Sequence, residues 1–306
     1  MRNAYKKVIR ELHRENSRLI SIVADSGTGE LDKVRKEYPD KLVDCGISEC
    51  NAVGVAAGMA ASGCIPVIYG MAPFLVYRAY EFIRDDICLQ NLKAVIVGSG
   101  AGIVYNNLGP THHATEDIAV MRSLPNMKVL SVASPKEVEP VIRCAIEIEG
   151  PVYVRFGKAW EEEIHEGEPL FEYRVGQELT DGRDLTIIST GSIMSSVLKA
   201  EKLLREKHLS VRCINMTTIK PLDQACIIKA ARETGRILVV EEHSTVGGLA
   251  SAVAEAVVRS GQNVRFGSLG FDDRFCKDYG WYQDIKKING FDEIAICRKA
   301  LQMLQK

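Results

Sequence analysis

Long apolar runs, charge of one sign and paired cysteines are all missing from this sequence, and each absence removes a class of function. The apolar runs, such as 94–97 and 237–240, are of strand length, far below the roughly 20 residues needed to cross a bilayer. Formal net charge is -1, with acidic and basic residues interspersed, so no broad basic field faces nucleic-acid phosphates or anionic lipid. The nine cysteines include no Cys-x-x-Cys pair, and no apolar stretch follows the opening Met-Arg-Asn-Ala-Tyr-Lys-Lys to serve as a signal peptide. A reducing cytoplasm is the expected location and a small molecule the expected ligand. Neither a membrane nor a nucleic acid is an expected partner.

What is present describes a soluble globular chain: 46% of residues are apolar and 26% charged. A length of 306 residues favours two compact units over one. Short apolar runs at 19–23, 65–69, 94–97, 128–132, 152–156, 185–189, 211–215, 237–240 and 263–269 alternate with helical patterns. This is the signature of α/β units built on parallel sheets. Between Phe156 and Asp184 the alternation lapses into Glu161, Glu162, Glu163, His165, Glu166, Gly167, Glu168 and Pro169, followed by the turn Asp181-Gly182. The expected division is therefore a first domain over 1–165, a solvated linker over 166–182 and a second domain over 183–306. No repeat of 20 to 50 residues and no low-complexity tract interrupts it.

The segment Gly46-Ile47-Ser48-Glu49 leads into a helical run of small and apolar residues ending near Gly63. Such a helix must pack tightly and is expected to be buried. A carboxylate at its head is costly to bury unless something pairs with it, which makes Glu49 the first functional candidate. The alternative is an ordinary first-turn glutamate favoured by the helix dipole. A second candidate is the His112-His113 pair in a Gly-Pro-Thr loop; no third ligand accompanies it, so a metal site is not expected.

Gly46-Ile47-Ser48-Glu49 and its small-residue helix resemble the pyrimidine-binding domain of transketolases and deoxyxylulose-phosphate synthases. The resemblance continues through Ala24-Asp25, Phe74 with Arg78-Ala79-Tyr80, Ala101-Gly102-Ile103, Gly109-Pro110-Thr111-His112-His113, the run from Met121 to Met127, and Val154-Arg155. Beyond the linker, Glu241-Glu242-His243, Gly247-Gly248-Leu249 and Asp273-Arg274-Phe275 are similar to the transketolase C-terminal domain. The fold this implies is α/β, two three-layer α/β/α domains. The cofactor it implies is thiamine diphosphate, with Glu49 at the aminopyrimidine ring as activating residue. Phe74 would stack on that ring, with Tyr77 one turn on and Asp25 nearby. By the same resemblance His112 faces substrate, and Arg155 and Arg2 grip a substrate phosphate through charge-assisted hydrogen bonds. The role of His113 stays open.

Two departures from the family follow. Its diphosphate half holds magnesium or calcium through Gly-Asp-Gly and a downstream Asn, a donor set suited to a hard cation. Here Asp181-Gly182 has neither the preceding Gly nor the Asn, and Asn106-Asn107 follows no Gly-Asp-Gly. The resemblance thus implies a separate N-terminal subunit carrying diphosphate and metal, in an α2β2 complex. The obligate interface would be large and apolar, with the helix after Glu49 and the helix from Phe74 to Phe82 as its candidates. On the substrate side, Asn107-Leu108-Gly109 replaces Glu-Asp-Gly, Ser99-Gly100 replaces Thr-His, and Gly29 stands where a phosphate-contacting serine is usual. Leu108 cannot hydrogen-bond a sugar hydroxyl, so ketol transfer between a deoxy, branched or otherwise modified ketose and an aldose is expected. The competing readings are the β subunit of a 2-oxoacid dehydrogenase, against which the Gly-Pro-Thr-His-His loop argues, and a non-catalytic regulatory subunit.

Overall fold

The computed structural model describes residues 1–25, 28–159 and 161–305. The first half runs α1 (Arg2–Glu15), β1 (Leu19–Val23), α2 (Asp32–Glu37), β2 (Leu42–Asp44), α3 (Glu49–Ala61), β3 (Ile65–Met71), α4 (Tyr80–Phe82), β4 (Val95–Ser99), α5 (Asp117–Ser123), β5 (Lys128–Ser131), α6 (Val138–Glu147) and β6 (Val152–Phe156). The second runs β7 (Gln177–Thr180), β8 (Leu185–Ser189), α7 (Met194–Arg205), β9 (Val211–Asn215), β10 (Thr218–Lys220), α8 (Gln224–Thr234), β11 (Arg236–Ser244), α9 (Leu249–Ser260), β12 (Arg265–Phe271), α10 (Tyr282–Ile288) and α11 (Glu293–Leu304).

A seven-stranded sheet has the order β10-β5-β6-β4-β3-β1-β2 and a five-stranded sheet the order β12-β11-β8-β9-β7. Both are parallel except at one edge each, where β10 runs antiparallel to β5 and β7 antiparallel to β9. Strands β1, β4, β6, β8 and β9 are buried along their whole length. Parallel sheets covered on both faces need such apolar strands, which is why these segments stood out in the sequence.

Tyr5, Val8, Ile9 and Leu12, at one-turn spacing on α1, join Val141, Ile142 and Ala145 of α6 over one face of the first sheet. On the other face, Ala52 and Val53 of α3 and Leu75 and Ile83 belong to an apolar layer that continues into Ile227 of α8 and Val253 of α9. Val197 of α7 and Ile296 of α11 cover the far side of the second sheet. The two α/β/α units therefore share a common wall.

The structure departs from the sequence reading in three places. Strand β7 lies inside the expected linker; its residues are half-buried or exposed at a sheet edge, so they alternate too weakly to stand out. The acidic run is not merely solvated: Glu163 accepts from Ser134 Oγ at 2.8 Å and Lys136 N at 2.9 Å, and His165 Nε2 lies 2.7 Å from Glu137 Oε1. Helix α3 buries only the face carrying Glu49, Ala52, Val53, Ala56 and Ala57. Gly54 and Gly58 look into open space.

Candidate active site

In an open parallel sheet, ligands bind beyond the carboxyl ends of the strands. Asp25 follows β1, Phe74 follows β3, the long loop over 100–116 follows β4, and Lys158 follows β6.

Glu49 opens α3 and its side chain is only 2% exposed. The pairing partner that such burial demands is Arg78, whose Nη1 donates to Glu49 Oε2 at 2.5 Å. Residues Phe74–Arg78 wind as a π turn, and Ile83–Cys88 as a second beyond α4; such expansions recur at functional sites. The Arg78 guanidinium carbon sits 5.2 Å from the centre of the Phe74 ring, a cation–π contact. Phe74 in turn meets His112 edge-on, ring centres 5.1 Å apart. Glu49, Arg78, Phe74 and His112 thus form one connected cluster.

Two successive turns present His112. Leu108 N donates to Tyr105 O at 2.9 Å, and His112 N to Gly109 O at 2.9 Å. Thr111 Oγ1 lies 2.9 Å from His112 Nδ1, leaving Nε2 as the nitrogen for other partners. Tyr105 flanks the imidazole at 6.1 Å, and Lys158 Nζ lies 4.5 Å from the Tyr105 ring centre. Leu108 is 43% exposed. Its neighbour Gly109 has φ 75°, and a Cβ there would collide with the Tyr279 ring and hydroxyl, so the second domain leans directly on this loop.

His113 is buried, with neither ring nitrogen in a well-formed hydrogen bond. Burial pushes its pKa down to about 4, with only the Tyr105 backbone opposing the shift. At neutral pH it is an uncharged core side chain.

The other expected site residues have different surroundings. The Tyr77 hydroxyl accepts from Glu116 N at 3.1 Å and donates to Glu116 Oε2 at 2.9 Å, and burial raises its pKa well above the ordinary value. It braces the end of the His112 loop. Asp25 is exposed, with φ 59°, and its N–H donates to Asp44 Oδ1 at 3.3 Å. Arg2 starts α1, and its backbone N–H meets Lys158 O at 3.3 Å. Arg155 lies within β6, where its Nε donates to Asp117 Oδ2 at 2.8 Å and its Nη2 to Ala114 O at 3.2 Å; Tyr153 donates to the same Asp117 oxygen at 2.7 Å. The guanidinium expected to hold a phosphate is therefore engaged inside the sheet.

Sequence reasoning gave no role to Arg78, Tyr105, Asp117 or Lys158, although Arg78 stood in the motif that follows Phe74. Glu242 was visible only as part of Glu241-Glu242-His243. It reaches across to the His112 loop, accepting from Ile103 N at 2.6 Å and from Tyr282 Oη at 2.5 Å. Gly102 there has φ 65°, and a Cβ on it would collide with the Glu242 carboxylate. His243 Nδ1 donates to Ser244 O at 2.7 Å, so Nε2 can accept from Ala119 N at 3.4 Å.

A buried carboxylate beside an aromatic face suits the edge and face of a flat heterocycle. Among the described residues no group of three or more His, Cys, Asp or Glu could hold a metal ion, and no helix is long and apolar enough to cross a membrane. The fold and this cluster define an α/β protein of two sheets that gathers a buried carboxylate, a guanidinium, an aromatic ring and an imidazole at the strand ends.

Residues 1–160 match the family model for the transketolase pyrimidine-binding domain, and residues 175–279 that for the transketolase C-terminal domain. The chain belongs to the transketolase family, whose members depend on thiamine diphosphate. It is 35% identical to an apulose-4-phosphate transketolase subunit of Phocaeicola vulgatus, over 100% of this chain and 97% of that protein. It is 36% identical to a transketolase C-terminal section of Methanocaldococcus jannaschii, over 100% of this chain and 96% of that protein. A split-gene transketolase solved as an inactive β4 tetramer superposes with a TM-score of 0.89 at 33% identity, covering 99% of this chain and 97% of that one.

Proposed function

We propose that this chain is the pyrimidine-binding, C-terminal subunit of a two-chain transketolase, completed by a separate subunit that binds the diphosphate and its magnesium or calcium ion. The observation that carries this reading is the Glu49–Arg78–Phe74–His112 cluster standing in a chain whose described residues offer no metal-binding group. Glu49 would hydrogen-bond the ring edge of thiamine diphosphate and Phe74 would hold its face. When bound, the cofactor supplies the nucleophilic carbon that accepts and hands on a two-carbon ketol unit. His112, beside Phe74, exchanges protons with the sugar's carbonyl and hydroxyl groups. Asp25, Tyr77 and Arg2 border the same strand ends as secondary contacts, Tyr77 through its hold on Glu116.

The partner surface follows from α3. Ile47 before it is 79% exposed, Leu89 at the end of the neighbouring helix is 77% exposed, and Phe82 on that helix is exposed as well. With the open Gly54 and Gly58 they are the exposed small and apolar groups offered to an obligate partner in an α2β2 assembly in the cytoplasm. The substrate reading rests on Leu108, whose apolar side chain stands beside the turn that carries His112. It favours a sugar lacking or masking the hydroxyl that a polar residue would bind. The name of the Phocaeicola relative, an apulose-4-phosphate transketolase subunit, supports a sugar other than xylulose 5-phosphate or ribose 5-phosphate.

The test is reconstitution with the diphosphate-binding subunit, followed by a donor and acceptor screen. Glu49→Gln should assemble normally and lower ketol transfer by about a hundredfold or more. Magnesium-dependent cofactor binding and turnover by this chain alone would refute the two-chain reading.

A further inference from the structure

Arg78 has no part in the chemistry proposed above, yet it touches both groups assigned to the cofactor ring. We infer that Arg78 is a positioning residue, which claims one carboxylate oxygen of Glu49 and so fixes the other to face the ring held by Phe74. The inference rests on the proposed function.

A guanidinium has only donors. An oxygen that receives Arg78 Nη1 at 2.5 Å is therefore an acceptor and does not carry a proton toward arginine. Glu49 Oε1 is left as the oxygen that can meet a ring nitrogen. The orientation is held from two sides. Glu49 is buried at the head of α3, and the next residue, Cys50, donates its Sγ–H to the Arg78 carbonyl at 3.4 Å. The π turn over Phe74–Arg78 brings the guanidinium back over the Phe74 ring. One arginine thus fixes the carboxylate plane relative to the aromatic face. Arg78 itself is half exposed, so a partner that covered it would dehydrate the pair and strengthen it.

The same logic orients an amide. In Glu49→Gln, Arg78 would hold the amide oxygen and turn the NH2 toward the ring, preserving binding while removing the carboxylate. Without Arg78 the amide has no preferred side.

The experiment uses the reconstituted two-subunit complex and four variants: Arg78→Lys, Arg78→Met, Glu49→Gln and Arg78→Met/Glu49→Gln. The readouts are the Kd for thiamine diphosphate by fluorescence quenching, kcat and sugar KM separately, and the thermal midpoint of this chain alone. Arg78→Met should weaken cofactor binding about tenfold, the worth of one charge-assisted hydrogen bond. It should lower kcat with sugar KM unchanged, and Arg78→Lys should recover most of both. Glu49→Gln should leave Kd within about threefold in the Arg78 background but weaken it about tenfold further in the Arg78→Met background. Arg78→Met with Kd and kcat within about twofold of wild type, in a complex where Glu49→Gln abolishes turnover, overturns the positioning role and leaves the proposed function standing. Harmless Glu49→Gln overturns the proposed function itself. A purely structural arginine would lower the thermal midpoint and leave the Glu49→Gln effect on Kd the same in both backgrounds. Should Arg78→Met fail to fold, Arg78→Gln, which keeps a donor without the charge, carries the same comparisons, with the same results supporting or overturning the role.

Discussion

Arg155→Met separates two possible roles of one guanidinium. As a phosphate ligand, Arg155 would matter only when a sugar phosphate is bound. As the structure places it, the side chain is 3% exposed and its Nε serves Asp117, which is fully buried. Asp117 Oδ1 has no hydrogen-bond partner and Oδ2 serves both Arg155 and Tyr153. Removing the guanidinium leaves a buried carboxylate with a single phenol donor, a loss of about 3–5 kcal/mol. Methionine roughly refills the space, so about 4 kcal/mol is expected, out of the roughly 5–15 kcal/mol typical of a folded domain. With a urea m-value near 3 kcal/mol/M, the unfolding midpoint of this chain alone should fall by about 1.3 M. Arg155→Met/Asp117→Leu should recover most of that loss, because replacing both partners by apolar groups removes the stranded charge. A midpoint unchanged in Arg155→Met, together with a tenfold rise in KM for the sugar phosphate, would refute the structural role and restore the phosphate-binding one.

Gly102→Ala places a methyl where Glu242 Oε1 lies and demands a positive φ of an L residue. It should destabilise the chain by about 2–3 kcal/mol and lower ketol transfer in the complex at least tenfold, read by urea titration and steady-state assay. Burial pushes His13 and His113 down to about 4, from an ordinary 6.5. Both are neutral when folded, while the unfolded chain takes up protons below pH 6.5. Their contribution is therefore complete above pH 6.5 and is lost as pH falls toward 4, at up to about 1.4 kcal/mol per pH unit for each. Urea midpoints at pH 7, 5.5 and 4.5 should show this slope, and an unchanged slope in His13→Gln/His113→Gln contradicts the assignment. Leu108→Asp should raise kcat/KM for xylulose 5-phosphate and ribose 5-phosphate about tenfold relative to the native substrate; no change in that ratio removes Leu108 from the specificity argument.

Most of the strands that were legible are buried along nearly their whole length, and β12, a half-exposed edge strand, was legible from its seven-residue run. All nine apolar runs became strands, from β1 at Leu19–Val23 to β12 at Arg265–Phe271. The strands that were not, β2, β7 and β10, have three or four residues and half-exposed or edge positions. Strand β10 is the most instructive, because Thr218–Lys220 belongs by sequence to the second domain and pairs with β5 of the first. No local pattern reports a partner almost ninety positions away. The site divides along the same line. Glu49 was legible because burying a carboxylate at the head of an apolar helix requires a partner, and Arg78 supplies it. The resemblance led to Phe74 and His112, which the fold brings into edge-to-face contact. For Arg155 the sequence shows a cation at a strand but not that Asp117 faces it.

The second domain holds none of Glu49, Phe74 or His112, and its contribution to the site is order. A loop as long as 100–116 with almost no regular structure is usually mobile unless other elements pin it. Here Glu242 holds Ile103 near its start, the Asn106 side-chain Nδ2 donates to Gly280 O while the Asn106 carbonyl accepts from Gly280 N, Tyr279 covers Gly109, and Ser244 N donates to Thr115 O at 2.7 Å near its end. All of these anchors come from β11 or from the segment between β12 and α10. With both ends and the middle tied, the turn carrying His112 has one place to stand, opposite Phe74. The division at 165 and 183 that composition suggests is therefore not a division of function: cutting there would take β10 from the first sheet and the anchors from the loop. The histidine belongs to the first domain by sequence, but its position depends on the second.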